Sequence, residues 1–290
     1  MTTADASWPL DETDDEPRGP VGKAFRLSAA DSLSLGNALC GFLAVCVLAW
    51  SAINQLQTNG KFAAVPQFFG TAVVLLLIGA TCDLFDGLVA RKFRASAMGA
   101  ELDNLADVIS FGFAPAFMVV IWGGFTQKVP FPLVMVAAAS VLLAGVIRLA
   151  RFACVKTTSG DFMGLPIPMG AMTVVSIVLL FPPSIVTLLP IFGVAYLMVS
   201  RIEYPKPKGN LAAAVLAWMM INVACLTIWA AGLPGGDTLI KVGAIMQVAI
   251  VAAIPLRVRR PSPERVVLDA GTKCLTSDGT GTPGWIRAVG

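Results

Sequence analysis

The sequence contains no histidine. That absence removes the side chain that titrates nearest neutrality and the commonest zinc ligand, so His-based triads and His-containing metal sites are excluded. Any general base must be a carboxylate, amine, thiol or phenol. Charge is scarce as well: Asp, Glu, Lys and Arg make up 13% of 290 residues, against 56% hydrophobic residues and a mean hydropathy of +0.77. A chain this apolar cannot cover a water-exposed surface and is read against a bilayer. Paired cysteine spacing is missing too. Cys40, Cys46, Cys82, Cys154 and Cys225 fall in apolar runs and Cys274 lies near the end, so neither a zinc nor a disulfide framework is visible. Basic and aromatic residues are not interleaved, and the net charge of +3 does not argue for nucleic acid.

What is present is a series of long apolar runs. A membrane span needs roughly 20 largely apolar residues to cross ~30 Å of hydrocarbon. Runs of this kind predict spans at Leu33 to Ile53, Gln67 to Ala90, Leu102 to Phe125 and Leu133 to Val155. Four more are expected at Pro168 to Phe181, Ser184 to Val199, Leu211 to Ala231 and Leu239 to Leu256. The fifth and sixth meet at Pro182-Pro183, where missing backbone donors favour a break; one broken segment is the competing reading. Lys and Arg concentrate in cytoplasmic loops. With the N-terminus inside, Arg18, Lys23, Arg26, Arg91, Lys92, Arg94, Arg148, Arg151, Lys156, Arg201, Lys206, Lys208 and the basic C-terminal tail share one side. Lys61, Lys128 and Lys241 fall on the other. The expectation is therefore an all-α polytopic bundle in the cell membrane, with eight spans and both termini cytoplasmic.

The stretch Asp5 to Glu16 is acidic, without a basic n-region or cleavage pattern, and reads as a cytosolic tail instead of a signal peptide. The segment after Pro261 is rich in Gly, Thr, Ser and Pro and is expected to be disordered. The division expected is a tail over 1–28, a catalytic core over 29–205, additional transmembrane helices over 206–257 and a second tail over 258–290.

Five acids lie within the apolar body: Asp83, Asp86, Glu101, Asp103 and Asp107. An ionised carboxylate at bilayer depth costs on the order of 3 kcal/mol, so such residues normally face a cavity or a partner. Asp83 and Asp86 are spaced i, i+3 and Asp103 and Asp107 i, i+4, so each pair shares a helix face, and the short basic link sets the two helices side by side. Four carboxylates are expected to converge. Oxygen-only donors at this density suit Mg²⁺ or Mn²⁺ better than zinc or copper, and two divalent ions would clamp attacking and leaving oxygens in phosphoryl transfer. Gly87 and Gly99 beside them permit close approach of a nucleotide or, equally, only of a second helix.

The run Asp83-Leu-Phe-Asp86-Gly87-Leu-Val-Ala90-Arg91, followed by Gly99-Ala-Glu-Leu-Asp103-Asn-Leu-Ala-Asp107, resembles the signature of the CDP-alcohol phosphatidyltransferases, D-x-x-D-G-x-x-A-R … G-x-x-x-D-x-x-x-D. The resemblance implies a six-helix catalytic core followed here by about two extra C-terminal helices, a homodimer, and two metal ions held by Asp83, Asp86, Asp103 and Asp107. It also implies that Asp107 acts as the base and that Gly87, Ala90, Arg91 and Gly99 line the CDP-lipid pocket. The runs Glu101 to Pro115, Arg148-Leu-Ala-Arg151-Phe, Phe162-Met-Gly164-Leu-Pro166-Ile-Pro168 and Leu197 to Pro205 are similar to phosphatidylserine synthases of the bacterial and archaeal type. Asn37 is similar to a first-helix asparagine of that group and is assigned to CDP-lipid binding. This branch implies CDP-diacylglycerol or CDP-archaeol as donor and L-serine as acceptor, with the active site facing the cytoplasm. A forked guanidinium on Arg148 or Arg151 suits the serine carboxylate or the diphosphate; positive-inside anchoring is the plainer account of either. Two other functions stay in view, the same chemistry on inositol phosphate or glycerol phosphate, and a cation-coupled transporter. In a transporter the acids should be spread along a path, whereas here they gather at one end of a helix pair.

Overall fold

The structure, a computed structural model, describes residues 28–57, 65–92, 98–125, 128–154, 162–204 and 217–257, apart from 219, 223, 226 and 230. Apart from Ser28, both expected tails lie outside these residues. The described chain is helical, with one two-residue antiparallel pairing: α1 (Ala29–Gln57), α2 (Val65–Lys92), α3 (Gly99–Asp107), a π-helical stretch (Val108–Phe113), α4 (Ala114–Gly124), α5 (Phe131–Cys154), β1 (Phe162–Met163), α6 (Ile167–Leu180), α7 (Ile185–Val199), β2 (Glu203–Tyr204) and α9 (Gly236–Arg257). A shorter apolar helix, α8 (Met220–Trp229), precedes α9.

Local chemistry explains where several of these begin. At the start of α1, the Ser28 backbone N–H donates to Asp31 Oδ2 (2.7 Å) and the Asp31 N–H donates back to Ser28 Oγ (3.2 Å). This reciprocal box satisfies two otherwise orphaned donors. Ser184 caps α7 by the forward half of that pattern, its hydroxyl accepting from the Thr187 N–H at 3.1 Å. Between α3 and α4 the helix widens, and the Ala114 N–H reaches back to the Ile109 carbonyl, five residues earlier. Pro115, in the first turn of α4, has no N–H and its ring crowds the carbonyl four residues before it. Widening relieves that crowding while α3, the π stretch and α4 run on as one 26-residue apolar rod, Gly99–Gly124.

Among the described residues, four helical stretches are long and apolar enough to cross a membrane: Ala29–Gln57, Phe68–Gly87, Gly99–Gly124 and Phe131–Ala153. They coincide with the first four expected spans. At 14 and 15 residues, α6 and α7 are each roughly 21–23 Å long, shorter than the ~30 Å core. They are two separate helices that pack on one another, so the Pro182-Pro183 break makes a helical pair and not one kinked segment. Outward faces carry Leu39, Phe42, Trp50, Val136, Leu143, Val186, Leu189 and Tyr196, all exposed. An apolar exterior of this extent matches lipid as the solvent.

Packing centres on α1, which lies against α2, α3, the π stretch and α4; α5 lies against α4 and α7, and α6 against α7 and α9. Leu48, Leu76, Phe111, Met118, Ile167 and Ile191 fill the interior. Small residues permit the tightest approaches: a Cβ at Gly41 would sit 2.7 Å from Ser110 Cα, and one at Gly79 would sit 2.8 Å from Asn37 Oδ1. A buried polar chain, Trp218 Nε1 to Gln247 Oε1 (2.8 Å) and Gln247 Nε2 to Thr173 Oγ1 (3.2 Å), ties the last helices to α6.

One end of the bundle gathers the polar side chains. It contains the start of α1, the end of α2 and the start of α3, linked through Ser34 and Asp86. The ends of α5 and α7 meet there through Arg151, whose Nη1 donates to the Val199 carbonyl at 2.8 Å. Gly164, at φ +79°, turns the chain tightly over the end of α7. Its N–H bonds the Ile202 carbonyl (2.9 Å), and the next N–H, on Leu165, bonds the Leu197 carbonyl (3.1 Å).

Candidate active site

The site is assembled from α1, α2, α3 and α5. Asp83, Asp103 and Asp107 bring one carboxylate oxygen each to within 4.8 Å of one another. The helical spacing of the acids produces this convergence. Asp86 belongs to a different part of the site: its Oδ2 accepts the Ser34 hydroxyl at 2.7 Å, and it lines a cavity of about 200 Å³ with Ala30, Asp31, Ser34, Gly87, Gly99, Ala100 and Asp103. The four expected carboxylates thus form a group of three with a fourth beside it, and Asp103 faces both. Glu101 is exposed.

The donor set fits a hard divalent cation. Three carboxylate oxygens share one small space, and Asp103 Oδ1 is buried without a hydrogen-bond partner, a situation that costs free energy unless something positive occupies the gap. Arg148 is the described cation beside this group. It is buried at 7% exposure, interacts with the charge of Asp107, and leaves its Nε unpartnered. Arg151 is engaged elsewhere, on the Val199 carbonyl and, at 3.5 Å, the Ser200 carbonyl. The two arginines that sequence treats alike therefore have different surroundings: one faces the acids, the other braces a helix end.

Asn37 is fully buried and donates from Nδ2 to Asp107 Oδ1 at 3.4 Å, while its backbone carbonyl accepts the Ser110 hydroxyl at 2.7 Å. Gly87 and Gly99 both line the cavity, and a Cβ at Gly87 would meet nothing within 4 Å. Open space at Gly87 favours room for a ligand over helix packing. The side chains of Ala90 and Arg91 lie outside the described residues. Sequence reasoning missed Ser34, Asp31 and Ser110. The available signal was periodic: Asp31, Ser34 and Asn37 recur every three residues along the first turns of α1.

Comparison with known proteins gives this geometry a lineage. The sequence profile of the CDP-alcohol phosphatidyltransferases matches residues 27–229. The chain belongs to this family. The match takes in all four aspartates, Asn37, Arg148 and the helices that carry them, and removes the transporter reading. Among curated relatives, the chain is 32% identical over 181 residues to the CDP-diacylglycerol–serine O-phosphatidyltransferase of Bacillus subtilis, covering 62% of this chain and 91% of that one. It is 32% identical over 188 residues to the archaetidylserine synthase of Methanothermobacter thermautotrophicus (63% and 72%). A third relative, the CDP-diacylglycerol–serine O-phosphatidyltransferase of Methanocaldococcus jannaschii, is 35% identical over 144 residues (49% and 68%). The protein is accordingly a multi-pass membrane transferase of the phosphatidyl-transferring type.

Proposed function

We propose that the chain moves the phosphatidyl group of a CDP-lipid to the hydroxyl of L-serine and releases CMP. The observation that carries this reading is the convergence of Asp83, Asp103 and Asp107 with Arg148 at their side. Serine is favoured as acceptor because the relatives above are named for serine products while their lipids differ, diacylglycerol in one case and archaeol in another. On this reading the donor is CDP-diacylglycerol or CDP-archaeol.

Asp107 takes the proton of the serine hydroxyl. The serine oxygen forms a bond to the phosphorus that carries the lipid, the bond from that phosphorus to the bridging oxygen breaks, and CMP departs with the electron pair. Two divalent cations, Mg²⁺ or Mn²⁺, held by Asp83, Asp86, Asp103 and Asp107, would neutralise the diphosphate and the leaving group when bound. Asn37 orients Asp107 through its amide, and Gly87, Gly99, Ala90 and Arg91 border the nucleotide. Arg148 is the residue assigned to the serine carboxylate, a role that a planar guanidinium fills by paired hydrogen bonds; Arg151 is assigned to holding α7. The catalytic core comprises 29–205, with the helices of 206–257 attached to it, and works as a homodimer with the active site and both termini cytoplasmic.

Purified protein incubated with CDP-diacylglycerol, Mn²⁺ and a panel of alcohols tests the reading by CMP release. Release with L-serine, and not with inositol phosphate or glycerol phosphate, is expected, and EDTA should abolish it. Preferential release with a different alcohol would overturn the serine assignment, and full activity in EDTA would overturn the metal assignment.

A further inference from the structure

Ser34 has no part in the chemistry above, yet its surroundings are specific. It lies in α1, 3% exposed, and its Oγ stands 2.7 Å from Asp86 Oδ2. A second acceptor, the Ala30 carbonyl, lies at 3.3 Å. One hydroxyl proton serves one acceptor well, and the shorter contact has the length of a charge-assisted O–H···O⁻ bond, so the proton is committed to the carboxylate. Asn37, three residues on along the same buried face of α1, points its amide at Asp107. One helix face thus touches acids from both α2 and α3. Its register is fixed from the end by the Ser28–Asp31 box.

We propose that Ser34 is a positioning residue that holds Asp86 to its own side of the cluster, and so keeps a second cation position distinct from the one among Asp83, Asp103 and Asp107. The proposal rests on the metal reading of the site. Asp86 is 6% exposed and is held by the Ser34 hydroxyl together with the Gly87 backbone N–H; without Ser34 its carboxylate keeps the backbone bond alone, beside like-charged acids and the adjoining cavity. Asp86 and Asp103 both line that cavity, so a cation seated there would have carboxylate donors from α2 and α3. Residues that orient a ligand in this manner typically alter metal affinity by about 10–100-fold when removed.

The test uses the full chain in nanodiscs and counts Mn²⁺ by electron paramagnetic resonance without substrate. Two Mn²⁺ are expected in the parent protein. Ser34→Ala should weaken one of them by about tenfold or more and leave the other at parental affinity, whereas Ser34→Thr, which keeps the hydroxyl, should bind as the parent does. In CMP release, Ser34→Ala should need correspondingly more Mn²⁺ to reach its maximal rate. Parental affinity at both positions in Ser34→Ala would overturn the proposal, as would a folded Ser34→Thr with the defect of Ser34→Ala. If Ser34→Ala does not fold, Ser34→Cys replaces it under the same two criteria, its thiol being the weaker donor. A parent protein that binds no Mn²⁺ overturns the metal reading itself, a result separable from equal binding in parent and variant.

Discussion

Asp107 and Arg148 stand together at the inner end of the acidic group, and each has a consequence that a single substitution can read. With Asp107 as base, Asp107→Asn should lower turnover by about 10²–10⁴-fold while CDP-diacylglycerol still binds, measured as CMP release beside equilibrium binding of the labelled donor. Arg148→Gln should raise the KM for serine, whereas Arg151→Gln should leave that KM unchanged and lower stability by roughly 1.5–3 kcal/mol, since it loses charged hydrogen bonds to the end of α7. Thermal unfolding beside serine titrations separates the two. The aspartates were legible in the sequence because carboxylates in an apolar helix demand an explanation. The difference between Arg148 and Arg151 was not: both occupy the end of the same helix three residues apart, and what divides them is the arrival of Asp107 at one and the α7 terminus at the other. Ser34 was hidden for a related reason, because a serine in an apolar helix can simply bond its own backbone one turn back, and the Ala30 carbonyl lies within 3.3 Å of its hydroxyl.

At the scale of elements, hydropathy fixed the long helices, because crossing a bilayer requires each to carry its own backbone hydrogen bonds and an apolar surface. The π stretch escaped it. Nothing in the apolar run from Val108 to Phe113 announces a change in hydrogen-bond period; the cause lies ahead, in Pro115. Its position directly after Asp107 puts a local change of helical register beside the proposed base. The turn at Gly164 is likewise a matter of backbone geometry, although the glycine itself was visible. A Cβ there would strain a left-handed backbone and collide with the Met198 carbonyl oxygen. Gly164→Ala should therefore cost roughly 1–3 kcal/mol, read as a lower unfolding temperature, with further loss of activity where the α7 terminus is displaced.

For the whole molecule, helices alternate so that the acids, Arg148, Arg151 and the Gly164 turn share one end, while Trp122 Nε1 bonds the Phe181 carbonyl in the α6–α7 connection (3.1 Å) away from them. On the charge pattern, we propose that this polar end faces the cytoplasm. Single cysteines introduced for Lys128 and Arg201, in a background lacking the native thiols, should react with a membrane-impermeant maleimide from opposite faces. Reaction of both from one face would contradict the assigned topology. The polar chain through Gln247 ties α9 to α6; Gln247→Leu should cost about 1–2 kcal/mol without altering metal requirement.

The account depends on divalent cations seated among these carboxylates. Anomalous scattering from Mn²⁺ in crystals of the active protein examines that directly. A strong peak enclosed by Asp83, Asp103 and Asp107, with a second on the Asp86 side, is predicted; a map with no Mn²⁺ peak at these side chains, from protein that releases CMP under the same conditions, would contradict it.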